Sequence, residues 1–160
     1  MKKLITLLVC FALSLSGYAQ FQQDKFYVSA GLSSLDLGYH GTDKWKLDAQ
    51  VKAGYLLERD WMILSNVGMG LYQDVPDTYS LGAGIRYYIE QNGLFVGCGA
   101  NYIHANKSFN DVMPTVNLGY AFFLNRTVTI EPELYYNQSL RNHHDYSGFG
   151  FRIGLGIYFE

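Results

Sequence analysis

Apolar residues recur at every second position over most of this chain, most plainly at its end. Phe149, Phe151, Ile153, Leu155, Ile157 and Phe159 form one row; Gly150, Arg152, Gly154, Gly156 and Tyr158 form the other. A period of two sends the rows to opposite faces of a β-strand. In 79–90, Tyr79, Leu81, Ala83, Ile85, Tyr87 and Ile89 alternate with Ser80, Gly82, Gly84, Arg86, Tyr88 and Glu90. In 45–57, Trp45, Leu47, Ala49, Val51, Ala53, Tyr55 and Leu57 alternate with Lys46, Asp48, Gln50, Lys52 and Gly54. In 127–137, Val128, Ile130, Leu134 and Tyr136 alternate with Thr127, Thr129, Glu131, Glu133 and Asn137.

Weaker alternation over 25–36, 61–72, 94–105 and 113–124 brings the number of predicted strands to eight. Their connections alternate in length. Glu58-Arg59-Asp60, Gln91-Asn92-Gly93 and Asn125-Arg126 read as tight turns, and Asn92-Gly93 suits a hairpin because both residues tolerate positive φ. Longer polar stretches, 37–44, 73–78, 106–112 and 138–147, separate them. The pattern predicts an all-β fold, an eight-stranded antiparallel up-and-down barrel. Strands of this length, tilted near 40°, rise roughly 25–33 Å along the axis, the thickness of a bilayer core. Soluble strands have a mode of about five or six residues.

The first residues follow another logic. Met1-Lys2-Lys3 is positive, Leu4 to Leu15 is apolar, and Ser16-Gly17-Tyr18-Ala19 supplies small residues before Gln20. This predicts a secretory signal peptide over 1–19 and a single domain over 20–160. The apolar run is too short for a spanning helix, which needs roughly 20 residues. The expected mature chain has 10 basic and 14 acidic side chains, which argues against nucleic acid as a partner. Cys10 leaves with the signal, so Cys98 has no partner for an internal disulfide or a cysteine-rich metal site. Aromatic residues make up 16% of the chain, with 14 Tyr and 17 Gly. That usage, without a helical span, points to β-structure at a membrane.

Alternation alone does not say which face is outside, since a soluble ligand-binding barrel turns its apolar row inward. The glycines decide it. Gly82, Gly84, Gly97, Gly99, Gly150, Gly154 and Gly156 lie on the minor face, where exposed glycine would pack against nothing. Inside a narrow barrel they make room for Tyr88 and Tyr158. Aromatics of the apolar face gather at strand ends: Phe26, Tyr55, Trp61, Tyr87, Phe122 and Phe159 at one, Trp45, Tyr79, Tyr102, Tyr136 and Phe149 at the other. Two such girdles mark the two interfaces of a membrane.

On its signal with Ala19-Gln20, its eight strands and its closing Ile153-Gly154-Leu155-Gly156-Ile157-Tyr158-Phe159, the chain resembles the OmpA/OmpX-type family of small outer-membrane barrels, and more narrowly the Bacteroidetes-type outer-membrane β-barrel proteins. The resemblance covers about 24–160. It implies residence in the outer membrane of a Gram-negative cell, with both termini periplasmic. It also implies contact with outer-membrane lipid, and insertion by the barrel-assembly machinery, which reads a terminal strand ending in an aromatic. Phe159 fits that pattern; Glu160 after it departs from it. No cofactor is implied, and the chain is expected to be a monomer.

Chemistry is concentrated on the inward face, at Lys46, Asp48, Lys52, Arg86, Glu131, Glu133 and Arg152. The last hairpin sets Glu133 about opposite Arg152, with Glu131 one pair deeper. Arg86, Glu131, Glu133 and Arg152 are therefore expected to form a structural charge cluster in the lumen, since buried carboxylates are tolerated when paired. A gate or proton path is the competing reading. Loop 138–147 carries His143, His144, Asp145 and Ser147, which invite a hydrolase or metal-site reading. Lipid A deacylases of this size use a His and Ser two apart plus a Glu; here His144 and Ser147 are three apart and only Glu160 follows. Cys98 is expected on the lipid face, and Pro132, in phase with that face, is expected to force a bulge. The favoured function is a non-enzymatic barrel with a closed, salt-bridged lumen and a structural or loop-mediated role. An outer-leaflet lipid-modifying enzyme and a narrow ion pore are the alternatives.

Overall fold

The computed structural model describes residues 23–36, 46–72, 75–89, 92–105, 109–140 and 147–160. Nine strand segments run in chain order: β1 Phe26–Asp36, β2 Lys46–Glu58, β3 Trp61–Tyr72, β4 Val75–Tyr88, β5 Leu94–Ala105, β6 Phe109–Tyr120, β7 Phe122–Phe123, β8 Val128–Asn137 and β9 Gly148–Phe159. Each pairs antiparallel with its neighbours, β1 also pairs with β9, and β6 and β7 both pair with β8. The sheet therefore closes on itself. Segments β6 and β7 are one stave interrupted at Ala121, so nine segments make eight staves.

That interruption corrects the bulge expected at Pro132. Gly119 pairs with Glu133 and Phe122 with Ile130, so the register passes the proline without a slip. Pro132 also keeps its place against Ile153. Proline has no N–H to donate, and the ladder to β6 simply lapses across from it. The Ala121 N–H meets the Gly93 carbonyl at 2.8 Å, in step with the β5–β6 pairing of Leu94 with Tyr120.

The strands follow the alternating pattern, but two begin earlier than their periodicity predicts. β4 starts at Val75 and β6 at Phe109, which shortens the loops expected at 73–78 and 106–112. Val75 pairs with Tyr72 across a register shift, and Phe109 pairs with Ala105. The difference in loop length between the two ends thus rests on 37–45 and 138–147. At the opposite end the turns are built by local chemistry. Asp60 takes φ 73° and Gly93 takes φ 93°. The Asn125 side-chain oxygen accepts from the Thr127 N–H at 2.8 Å and the Val128 N–H at 2.8 Å, an Asx-type turn.

Burial is inverted relative to a soluble barrel. Val51, Val67, Leu81, Val116, Leu134 and Leu155 are all more than half exposed, while Arg86, Thr129, Glu131 and Glu133 are buried. Over 79–87 of β4 and the stretches paired with it, 61–69 of β3 and 96–104 of β5, the outward row carries no Asp, Glu, Lys or Arg. Rings flank this apolar belt. Phe26 packs on Tyr55 and Phe159, with centroids 5.1 and 6.0 Å apart, and Trp61 packs on Tyr87 at 4.9 Å. At the other end Tyr136 meets Phe149 at 4.7 Å. From Tyr79 to Tyr87 the belt is about 26 Å long measured along the strand. Cys98 is exposed on it. A contiguous apolar surface of this extent is what a membrane covers.

Candidate functional site

The lumen is layered. At the short-turn end Tyr27, Leu56, Met62, Tyr88, Phe95, Ala121 and Tyr158 form a buried apolar cluster. Tyr27 and Tyr158 meet tilted by 50° with centroids 4.9 Å apart, and the Tyr88 ring meets Phe95 edge-on at 5.8 Å. Glycines give these rings their space. A methyl group at Gly119 would stand 2.4 Å from Phe95 Cζ, so only glycine fits beside that ring.

The charged layer lies on this floor. The β8–β9 ladder pairs Glu133 with Arg152 and Glu131 with Gly154. Arg152 Nη1 lies 3.0 Å from Glu133 Oε1. Arg86, from β4 across the barrel, sets Nη1 2.9 Å from Glu131 Oε2 and Nη2 3.5 Å from Glu133 Oε2. The four residues expected in the lumen cluster are thus brought together. Reading the sequence placed Lys52 of β2 on the inward face but missed its part in this cluster, where it donates to Glu133 Oε2 at 2.6 Å. It also missed the hydroxyls that saturate Glu131. Tyr27 donates to Oε2 at 2.5 Å, while Thr129 and Tyr158 donate to Oε1 at 2.9 and 3.1 Å.

Arg86 is fully enclosed. Its guanidinium sits 3.8 Å from the Phe95 ring centroid, a cation–π contact in a water-poor site. Nη1 also donates to Tyr88 Oη at 3.1 Å, and the Tyr88 and Tyr158 hydroxyls lie 2.7 Å apart. Arg152 stacks on Tyr135 at 4.4 Å. Taking five ionised groups out of water is costly, and only this density of charge-assisted bonds offsets it.

Above the charges the lumen opens into a cavity of about 50 Å³. A belt of amides and hydroxyls crosses it. Asn66 donates to Asn101 Oδ1 at 2.8 Å, Asn101 to Thr115 Oγ1 at 2.8 Å, and Thr115 to Asn137 Oδ1 at 2.7 Å. Lys46 and Asp48 pair through their backbones with Tyr72 and Gly70; their side chains lie outside the described set.

His143, His144, Asp145 and His40 also lie outside the described residues. Ser147 Oγ accepts from the Ser139 N–H at 3.0 Å, and Ser139 Oγ donates to Asp111. His104 pairs with Asn110 Oδ1 at 2.6 Å through Nδ1. Among the described residues, no group of three or more His, Cys, Asp or Glu side chains could hold a metal.

The architecture has known counterparts. The N-terminal β-barrel domain of Pseudomonas aeruginosa OprF superposes with a TM-score of 0.63 at 15% identity, covering 86% of this chain and 98% of that one. The fold is that of the small outer-membrane β-barrels. Neisserial surface protein A matches with a TM-score of 0.58 at 16% identity over 84% of this chain and 95% of its own. A de novo designed transmembrane β-barrel matches at 0.56 and 14% identity, over 86% of this barrel and 98% of the design. Neither a comparison with protein-family models nor one with curated protein sequences gives a match. At these identities the likeness concerns the fold alone, and that a designed chain shares it underlines how little the architecture says about activity.

Proposed function

We propose that the chain is a non-enzymatic, monomeric barrel of a Gram-negative outer membrane, with both termini periplasmic and its lumen closed by the Arg86, Glu131, Glu133 and Arg152 cluster. Any specific role then falls to the loops at the long-loop end, which would face outward. The observation that carries this reading is the filled short-turn half of the lumen. There Tyr27, Leu56, Met62, Tyr88, Phe95 and Tyr158 are all at most 3% exposed, and the salt-bridged layer rests directly on them. An eight-stranded barrel encloses side chains with no width left for a water channel. The orientation draws support from the termini sharing one end and from the longer loops, 37–45 and 138–147, at the other.

The test is electrical. The refolded full chain in planar bilayers should give no steady conductance. Regular openings in the native protein would end the closed-lumen reading. The enzyme alternative is tested separately. His144→Ala and Ser147→Ala, expressed in cells, should leave lipid A acylation as the native chain leaves it; a change tied to either residue would make the loop catalytic. Heat-dependent migration on gels and recovery with outer membranes should accompany both experiments.

A further inference from the structure

The charges of the described cluster do not balance. Among the described residues of the cluster, Lys52, Arg86 and Arg152 share two carboxylates, Glu131 and Glu133. Glu133 alone is touched by all three cations. Glu131 is engaged by Arg86 and by the hydroxyls of Tyr27, Thr129 and Tyr158, which supply hydrogen bonds but no countercharge. Asp111 is another buried carboxylate, but it lies eight residues along β6 from Gly119, the partner of Glu133. That is about 26 Å of strand, and Asp111 is occupied with Ser139. A surplus cation among side chains no more than 14% exposed is unfavourable unless an anion lies beside it.

Space for that anion adjoins the surplus. The cavity of about 50 Å³ is lined by Lys52, Arg152 and Glu133 below and by the amides of Gln50, Asn66 and Asn117 around it. A water needs roughly 10–15 Å³ by the same measure, so the cavity suits a monatomic ion with a water or two and excludes sugars and organic phosphates. The ammonium of Lys52 has three N–H groups, and Glu133 can take only some of them. Gln50 Oε1 is buried on the cavity wall without a partner among the described residues. A half-turn of that amide presents its NH2 group to the same space.

We propose that this cavity binds one small inorganic monoanion of chloride size, held by Lys52 and Arg152 and ringed by side-chain amides. The ion neutralises the cluster and fastens β2 to β9 at a level where the two are not neighbours in the sheet. It enters from the long-loop end, since the aromatic floor blocks the other. It is a resident counterion, so the site is independent of conduction and stands or falls separately from the closed-lumen reading.

The experiment compares thermal unfolding of the refolded full chain in sodium chloride, bromide and gluconate at equal ionic strength, followed by gel mobility. Gluconate is too large for the cavity. Chloride and bromide are expected to raise the midpoint over gluconate, saturably, and Lys52→Met is expected to lose that difference. Equal midpoints in all three salts, or a difference that survives in Lys52→Met, would overturn the proposal. Should Lys52→Met not fold, crystals of the native chain grown in bromide give the answer. An anomalous peak against Lys52 and Arg152 supports the site, and no peak there refutes it. Asp48→Asn guards against an internal countercharge. Chloride dependence that appears only in that variant assigns the compensation to Asp48 and overturns the site.

Discussion

The two halves of the lumen are built on the same wall of alternating glycines, yet they are filled by different means. Toward the short turns the space is taken by rings and by five charged side chains in mutual contact. Toward the long loops it is taken by single hydrogen bonds between amides and hydroxyls around an open cavity. On the floor beneath that cavity no water can replace a lost partner. In the second half, water can. The same removal of a polar group should therefore cost much more on one side of the Glu133 level than on the other.

The sharpest test is Glu133→Gln. It keeps the shape and removes the countercharge shared by Lys52, Arg86 and Arg152. Leaving buried cations without their carboxylate is expected to lower unfolding stability by about 3 kcal/mol or more, read from urea titrations of the refolded barrel in lipid vesicles. A loss under about 1 kcal/mol, the usual worth of an exposed pair, would mean that the floor is wetter than its packing implies and would erase the contrast between the halves.

How far this contrast could be read from the sequence depends on which contacts follow the ladder. Glu133 opposite Arg152 was legible, because hairpin pairing is fixed by turn length and period. Arg86 was legible as an inward charge by its phase. Lys52 reaching Glu133 was not, since β2 and β8 are not adjacent and the two residues lie 81 positions apart. Only the tilt and stagger of the closed barrel bring them level. The hydroxyls of Tyr27 and Tyr158 on Glu131 were hidden for a related reason. Their phase marked them as inward, but nothing local says that an inward tyrosine caps a carboxylate. Pro132 misled in the other direction. A bulge was the economical expectation for proline in a closed sheet, yet a gap in one ladder satisfied the same constraint with the register unbroken on either side. The early starts of β4 and β6 escaped because Pro76 and the polar residues Asp77, Asn110 and Asp111 read as loop.

A second contrast lies within one strand. A methyl at Gly156 would stand 2.5 Å from Thr129 Oγ1 and 2.8 Å from both Glu131 Oε1 and Tyr27 Cε2. A methyl at Gly154, one lumen position outward, would meet nothing nearer than the Ala30 carbonyl at 3.7 Å. Gly156→Ala is expected to cost about 1–3 kcal/mol, because the hydroxyl contacts on Glu131 must yield. Gly154→Ala is expected to be neutral or to gain roughly 0.4–1 kcal/mol by restricting the unfolded chain. The same titrations read both. Equal effects at the two positions would show that the packed floor extends a level higher than the cavity suggests.

The smallest effect is expected in the open half and is the most informative if it fails. Asn101 sits at the centre of the amide belt, accepting from Asn66 and donating to Thr115. Asn101→Ala breaks both bonds, but it also enlarges a cavity that is already polar. Water entering from the long-loop end can bridge Asn66 and Thr115. The net loss is then expected to stay below about 1 kcal/mol, with the gel shift on heating unchanged in form. A loss approaching that of Glu133→Gln would mean that the belt is sealed from water and that the two halves form one dry core. Asn101→Asp separates the cases further. In an open polar cavity beside surplus positive charge a carboxylate should be tolerated, whereas in a sealed belt it would strand a charge between two amides.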